Sequence, residues 1–556
     1  MKTRFNNAAR VERLALILVG IGLLARLAFA SLPLSTLLTL LEDDAWMVTA
    51  IARHWALGHG ITADGLNPTN GFHPLYPLTL GALPYLFAPN NLDFGFRANL
   101  IMCALLSTLA LVPFYAIARI VANQPAALAG LAIMALNPLL IRVSVNAMET
   151  SLALLLLLTL WWYALAHPPT TLRAAALLGV LAACAILARL DSMIAAGMLG
   201  LIMLWNELRK RKLPALSVIY GSTIGLLLLP YFVRNVVQFG AISPSSGRAL
   251  AYLHSYRESF AFSSGLQLVA TQPGIDLHWA PPWLWLLALA ALVVIVWQLP
   301  GRSRSLLAPL ILYALALTFY YAYLQQQGLP RYYVGVSAVL VLVICAGATR
   351  LTAQANRVQL AALIGMTGAI VGMNCIAFIR ETRQIQSAAT LAQPAMYRAA
   401  QWIATNLPAE ARLASSNSGI FQYYSGHAVL NFDGKLNAEI IPVQEHRELD
   451  RYLRAKGVAY IVDLPSVAEY IEFYSENLSV AKPHPEISSV QKLLIYARLI
   501  AHKVGLGPEV VLDERKPERV IQPFSAVTRI VQQFPLPNDP TRTVTLYQLN
   551  AAFGQP

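Results

Sequence analysis

Apolar residues run along this chain in blocks too long and too unbroken for the core of a soluble protein. Leu306–Leu324 and Val358–Phe378 each supply about the 20 residues that a helix needs to cross a bilayer. Taken block by block, the pattern predicts eleven spanning helices, at about 14–31, 97–118, 125–141, 149–166, 172–188, 191–205, 214–232, 281–299, 305–324, 332–349 and 358–379. The first follows Lys2, Arg4, Arg10 and Arg13 and is interrupted only by Arg26. It is too long for the apolar core of a secretory leader and reads as an uncleaved first span, although Ala28 and Ala30 resemble a weak cleavage site. Leu75–Ala88 is left out of the count. It is short, holds Pro77 and Pro84 and follows Pro74. Proline inside a helix costs about 3 kcal/mol, so this stretch reads as a helix lying at the interface.

Charge supports that register. With a cytoplasmic N-terminus, the inner loops carry Arg119, the run Arg209-Lys210-Arg211-Lys212, Arg302 and Arg304, and Arg350 and Arg357. This is the excess of cations expected on the cytoplasmic side. Charged residues make up only 12% of the chain against 57% hydrophobic, where a soluble protein carries roughly 25% charged. The net charge of +13 sits in short loops where insertion requires it, so nucleic acid is not an expected partner. Cys103, Cys184, Cys345 and Cys375 all lie in apolar segments without metal-ligand spacing and read as small core residues.

After about Arg380 the composition changes. A periodic helix near Ala395–Asn406 is followed by short strand-like runs at Ala411–Ser415, Ala428–Asn431 and Val458–Val462. The expectation is an all-α polytopic membrane domain over 1–380 and a small extracytoplasmic α/β domain over 381–556. Two outer segments, about Pro33–Phe96 and Arg234–Ala280, are long between short neighbours, and such loops are usually functional.

The outer face gathers charges that are costly near a membrane: Glu42, Asp43, Asp44, His73 and Arg97 in the first outer loop, then Arg142 and Glu149, Arg189 and Asp191, Arg234, and Arg331. A few acids beside several cations suit sugar transfer from a donor carried on a lipid phosphate. A carboxylate takes the proton from an acceptor hydroxyl. Cations stabilise the departing phosphate, and the arginine fork binds two phosphate oxygens at once. Each residue also has a plainer reading. Glu42, Asp43 and Asp44 could cap the amphipathic run Ala45–Leu57, His73 could be interfacial, and Arg97, Arg142 and Arg331 could reach for headgroups. Tyr332 and Tyr333 could belong to an aromatic belt, and Arg189 and Asp191 could form a structural ion pair.

Residues 42–53, EDDAWMVTAIAR, resemble the first periplasmic loop of the GT-C glycosyltransferases, a group that includes lipid A aminoarabinose transferases, protein O-mannosyltransferases and mycobacterial arabinofuranosyltransferases. The resemblance implies that Asp43 is the base, with Asp44 where the first two families carry Glu. Residues 67–75, NPTNGFHPL, include Asn70 and resemble the segment whose His-Pro or Lys-Pro faces the donor phosphate, which gives that role to His73. Arg97-Ala98-Asn99 resembles the Arg at the start of the second span, and Ala147-Met148-Glu149-Thr150 the second-loop acid motif. Ala188-Arg189-Leu190-Asp191 and Arg331-Tyr332-Tyr333 resemble two later motifs, with Arg331 expected at the lipid phosphate.

The resemblance spans about residues 14–380. The tail, with Trp402–Pro408 and Asn431-Phe432-Asp433-Gly434, looks instead like that of uncharacterised bacterial members. The implied protein is a multi-pass enzyme of the bacterial inner membrane, taking a polyprenyl-phosphate sugar and a glycan, lipid or protein acceptor among the membrane lipids. Asp43, Asp44 and Glu149 would be catalytic. His73, Arg97, Arg331, Tyr332, Arg189, Asp191, Asn70 and Glu42 would bind substrate. The resemblance implies no definite cofactor, though the clustered acids Glu42, Asp43, Asp44 and Glu149 are of the hard-oxygen type that could hold a divalent ion. The alternative reading is a transporter or lipid flippase, since intramembrane charges also mark transport paths.

Overall fold

Backbone N–H and C=O groups in hydrocarbon must be satisfied within their own segment, so long apolar blocks fold as helices. The computed structural model describes residues 2–249, 282–321, 329–352, 356–387, 392–464, 466–478 and 523–554. Its membrane part runs α1 (Lys2–Ala30), α2 (Leu34–Leu40), α3 (Asp44–Ala56), α4 (Leu75–Leu78), α5 (Leu83–Phe87), α6 (Leu92–Leu109), α7 (Leu111–Val121), α8 (Gln124–Leu136), α9 (Pro138–Ser144), α10 (Thr150–Ala166), α11 (Leu172–Ala188), α12 (Met193–Arg209), α13 (Ala215–Phe239), α14 (Pro282–Gln298), α15 (Gly301–Phe319), α16 (Val334–Leu351) and α17 (Arg357–Ser387). Among the described residues, five helical segments are long and apolar enough to cross a membrane, and the bent pair α8–α9 adds a sixth. Shorter apolar helices, α10 and α11 among them, stand beside these. The stretch left out of the span count is two short helices, α4 and α5.

The bend between α8 and α9 is 57°, and the sequence explains it. Pro138 has no N–H, so the Met134 carbonyl loses its donor four residues on. Leu139 N–H turns to Asn137 Oδ1 at 2.9 Å, which frees the Ala135 carbonyl as well. Arg26, the one charge inside the first apolar block, answers both. Its Nη2 donates to Met134 O at 3.1 Å and its Nη1 to Ala135 O at 2.9 Å. Further bonds to Gly22 O and Ser107 Oγ bring this buried guanidinium to four hydrogen bonds.

The C-terminal part contains α18 (Gln393–Asn406), β1 (Leu413–Ser415), α19 (Gly419–Tyr424), β2 (Val429–Asn431), β3 (Tyr460–Asp463), β4 (Thr528–Leu536) and β5 (Asp539–Leu549). One sheet has the order β2-β1-β3-β5-β4. The three expected strands are β1, β2 and β3, and they pair in parallel. The hairpin β4–β5, which sequence reading did not anticipate, adds two antiparallel strands at one edge. Of the second long outer segment, residues 250–280 lie outside the described residues.

The two parts share a core. Leu37, Trp46, Phe96 and Met148 from the membrane side and Ile420, Phe421, Val462 and Leu546 from the C-terminal side belong to one buried apolar cluster. Trp46 stacks on Phe96 with ring centroids 5.1 Å apart, and Tyr85 Oη meets Tyr423 Oη at 2.8 Å. This seam brings the first outer loop under the C-terminal ends of β1 and β2.

Candidate active site

Every residue of α3 from Ala45 to Ala52 is buried, so the helix is fixed and the acids at its start are fixed with it. Asp43 occupies the cap position, but its side chain caps nothing in its own helix. Its carboxylate instead accepts N–H bonds from Gly419 and Ile420, both at 2.9 Å, at the turn that follows β1. Only glycine fits there: a Cβ at position 419 would stand 2.3 Å from the Asp43 carbonyl oxygen and 2.9 Å from each carboxylate oxygen. Burial pushes the Asp43 carboxyl up to about 7, against the opposing pull of the two N–H groups, and neighbouring Asp44 adds to the rise. A base near neutrality suits proton removal at physiological pH.

The flanking acids meet cations. The Arg331 guanidinium pairs with both Glu42 and Asp44. Across Asp44, Lys435 Nζ lies 3.9 Å from Oδ1, and 3.4 Å from Asp433. Asp433 and Asp44 hold the Lys435 ammonium well above its ordinary range, outweighing burial.

A second group forms where α10, α11 and α12 begin or end. Arg189 donates to Asp191 at 2.7 Å, to Glu149 at 3.1 Å and to Tyr321 Oη at 3.0 Å. Tyr321 Oη in turn donates to Asp191. His73 Nδ1 faces Leu190 N at 3.3 Å, and its Nε2 is 4.0 Å from Glu149. Burial lowers the His73 pKa, with the Glu149 charge acting against it. An imidazole accepting at Nδ1 carries its proton on Nε2, the edge that faces the acid.

Tyr332 joins the two groups. Arg189 and Arg331 each place their guanidinium carbon over its ring, at 5.2 and 5.0 Å, and Tyr321 stacks on it at 4.6 Å. Arg189, Arg331 and Tyr332 head a cavity of about 20 Å³ whose other walls include Leu154, Leu157, Leu317 and Val334. It has a charged end and apolar walls and is large enough for about one water molecule.

Glu42, Asp43, Asp44, Glu149, His73, Arg189, Asp191, Arg331 and Tyr332 thus fall in two adjoining groups. Asn70 is buried beside them. Its Oδ1 accepts from Ser245 N at 3.1 Å, and its Nδ2 has no hydrogen-bond partner among the described residues. Arg97 stands apart, bonded to Asp93 at 3.1 Å and to the Leu32 carbonyl at 3.1 Å. Sequence reasoning missed Tyr321, hidden in an apolar block, and the Gly419–Ile420 and Lys435 contributions of the C-terminal part. The only signal for Lys435 was its place directly after Asn431-Phe432-Asp433-Gly434.

Residues 74–233 match the family described as dolichyl-phosphate-mannose-protein mannosyltransferase. Residues 378–537 match a domain family of unknown function. No curated protein matches the chain. Among solved structures, the oligosaccharyltransferase AglB of Archaeoglobus fulgidus, in complex with an inhibitory peptide and a dolichol-phosphate, is similar at 13% identity and TM-score 0.56, over 83% of this chain and 71% of that one. ArnT from Cupriavidus metallidurans, bound to undecaprenyl phosphate, is similar at 15% identity and TM-score 0.53, over 82% and 94%. A third structure, the A. fulgidus enzyme in complex with zinc and sulfate, has a TM-score of 0.54 at 13% identity, over 83% and 70%. The chain shares the fold of these membrane enzymes, and its segment 74–233 matches a glycosyltransferase family.

Zinc in that archaeal structure makes a divalent ion compatible with the fold, but the acids of this chain fit one poorly. Asp43 is taken by backbone N–H groups, and Glu42 and Asp44 by Arg331. Among the described residues, no three His, Cys, Asp or Glu side chains are grouped to hold a metal.

Proposed function

We propose that the protein transfers a sugar from a polyprenyl-phosphate donor to an acceptor hydroxyl on the extracytoplasmic face, with inversion at the anomeric carbon. The carrying observation is that Asp43, raised toward neutrality, sits beside Asp44, which Arg331 holds, while Arg331 and Arg189 flank Tyr332 a short way on and His73 lies against Glu149. The lipid enters between helices, and its phosphate lies near Arg331, with Arg189 and His73 behind. Arg97, committed to Asp93 and Leu32, is left out of the phosphate set. The acceptor oxygen attacks the anomeric carbon, the bond from that carbon to the phosphate oxygen breaks, and the phosphate leaves with the electron pair. Asp43 takes the hydroxyl proton. Asp44 and Glu149 orient the sugar or acceptor through the cations they hold. The dolichol-phosphate and undecaprenyl phosphate of the two similar structures support a lipid phosphate as ligand here.

The reaction is tested in lipid nanodiscs with a panel of radiolabelled polyprenyl-phosphate sugars. Wild type should release polyprenyl phosphate, while Asp43→Asn should bind donor and lose roughly 10²–10⁴-fold in rate. Full activity in Asp43→Asn would remove the base assignment. Donor movement between leaflets without sugar release would favour the flippase.

We place the N-terminus in the cytoplasm and the C-terminal part outside, with eleven spans. A cysteine introduced by Glu410→Cys should then react with an impermeant maleimide in spheroplasts, and protection there would reverse the orientation.

A further inference from the structure

We infer that Lys435, carried on the C-terminal part, is a phosphate-binding residue of the active site, so that the α/β domain completes the site instead of merely covering it. This rests on the glycosyl-transfer reading above. Three observations converge on it.

The first is how firmly the Lys435 backbone is held. Asp433 Oδ1 accepts from Lys435 N at 2.9 Å, and Ser245 Oγ donates to Lys435 O at 2.9 Å. Asn431 Oδ1 accepts from Leu436 N at 3.2 Å. Gly434 makes the turn at φ 87°, in the left-handed region that favours glycine. Gly71 of the first outer loop comes so close that a Cβ there would stand 1.7 Å from the Lys435 carbonyl oxygen. Two distant segments have therefore given up side-chain volume or spent polar groups to fix where this lysine starts.

The second is where it ends. Asp44 is bracketed, with Arg331 on Oδ2 and Lys435 approaching Oδ1. An anionic oxygen group between two converging cations is the arrangement a phosphate needs, and here the Asp44 carboxylate occupies it. The third is that the ammonium can be reached. Its carboxylate neighbours are at 3.4 and 3.9 Å, and the side chain is 26% exposed, so a phosphate can approach the ammonium while it keeps Asp433. In the transfer step the ammonium donates a hydrogen bond to the phosphate oxygens as negative charge builds on them, and it keeps its proton.

The test measures binding of radiolabelled undecaprenyl phosphate, with undecaprenol as the uncharged control, to the full chain in nanodiscs. Wild type, Lys435→Ala, Lys435→Arg and Asp43→Asn are compared, and thermal unfolding verifies that each variant is folded. Lys435→Ala should weaken undecaprenyl phosphate roughly tenfold or more, Lys435→Arg should recover most of that loss, and undecaprenol binding should not change. Equal undecaprenyl phosphate affinity in folded wild type and Lys435→Ala overturns the inference and leaves the proposed function standing, as does an equal loss for both lipids. Failure of wild type itself to bind undecaprenyl phosphate overturns the proposed function, and this inference with it. Should Lys435→Ala not fold, Lys435→Gln takes its place under the same criteria.

Discussion

Asp43 in an open loop would be an ordinary ionised carboxylate. Its position under the C-terminal part changes that, because burial outweighs the two N–H bonds and carries its pKa to about 7. The base works only when deprotonated, so its useful form predominates above that value. Logarithmic kcat/KM should therefore rise with pH along a limb of unit slope and level off near pH 7. A profile flat between pH 5.5 and 8 would show that Asp43 is not the proton acceptor. The partner glycine gives a second test. Gly419→Ala puts a methyl group against the Asp43 carboxylate, and the rate should fall by about 10²-fold, the scale of a displaced catalytic group. The acids themselves were legible in the sequence, because three in a row before an apolar helix are conspicuous. What holds them was not. Gly419 lies 376 positions from Asp43, and nothing local in either segment names the other.

At the scale of elements, the apolar blocks predicted the helices well, since a block that must satisfy its own backbone has few choices. Breaks were harder to foresee. Pro138 and Arg26 were each visible, yet only the fold shows that one repairs what the other disrupts. Arg26→Met should leave the Met134 and Ala135 carbonyls without donors. At about 1–3 kcal/mol per buried unsatisfied group, this predicts a marked fall in the thermal midpoint in detergent. In a Pro138→Ala background, the N–H restored at position 138 can reach Met134 O again, so Arg26→Met should cost less there by about 1 kcal/mol or more. Simple additivity of the two substitutions would refute the repair. Conversely, the hairpin β4–β5 escaped notice because its strands lie far along the chain from β1–β3 and pair with each other and with β3.

Across the whole molecule, the apolar seam ties catalytic geometry to domain docking. Tyr423 is its pivot. Its hydroxyl meets Tyr85 Oη at 2.8 Å and donates to the Leu92 carbonyl at 2.6 Å, and its ring lies 6.2 Å from that of Phe96, on which Trp46 of α3 stacks. The same short helix, α19, begins with the N–H groups that hold Asp43. Tyr423→Phe keeps the ring and removes the two bonds, a loss of about 1–3 kcal/mol if the Leu92 carbonyl is left unpaired. Were docking and site independent, this substitution would lower the unfolding midpoint and leave the pH profile alone. Coupling predicts more. A loosened α19 lets water reach Asp43, and because burial is the larger influence on that carboxyl, its pKa should fall toward the ordinary carboxylate range. The acid limb of kcat/KM should then move to lower pH while the plateau drops, since the base is more often ionised but less well placed. A lower midpoint with an unmoved limb would separate the two roles. A limb moved to higher pH would mean that the lost N–H bonds, and not the lost burial, dominate Asp43.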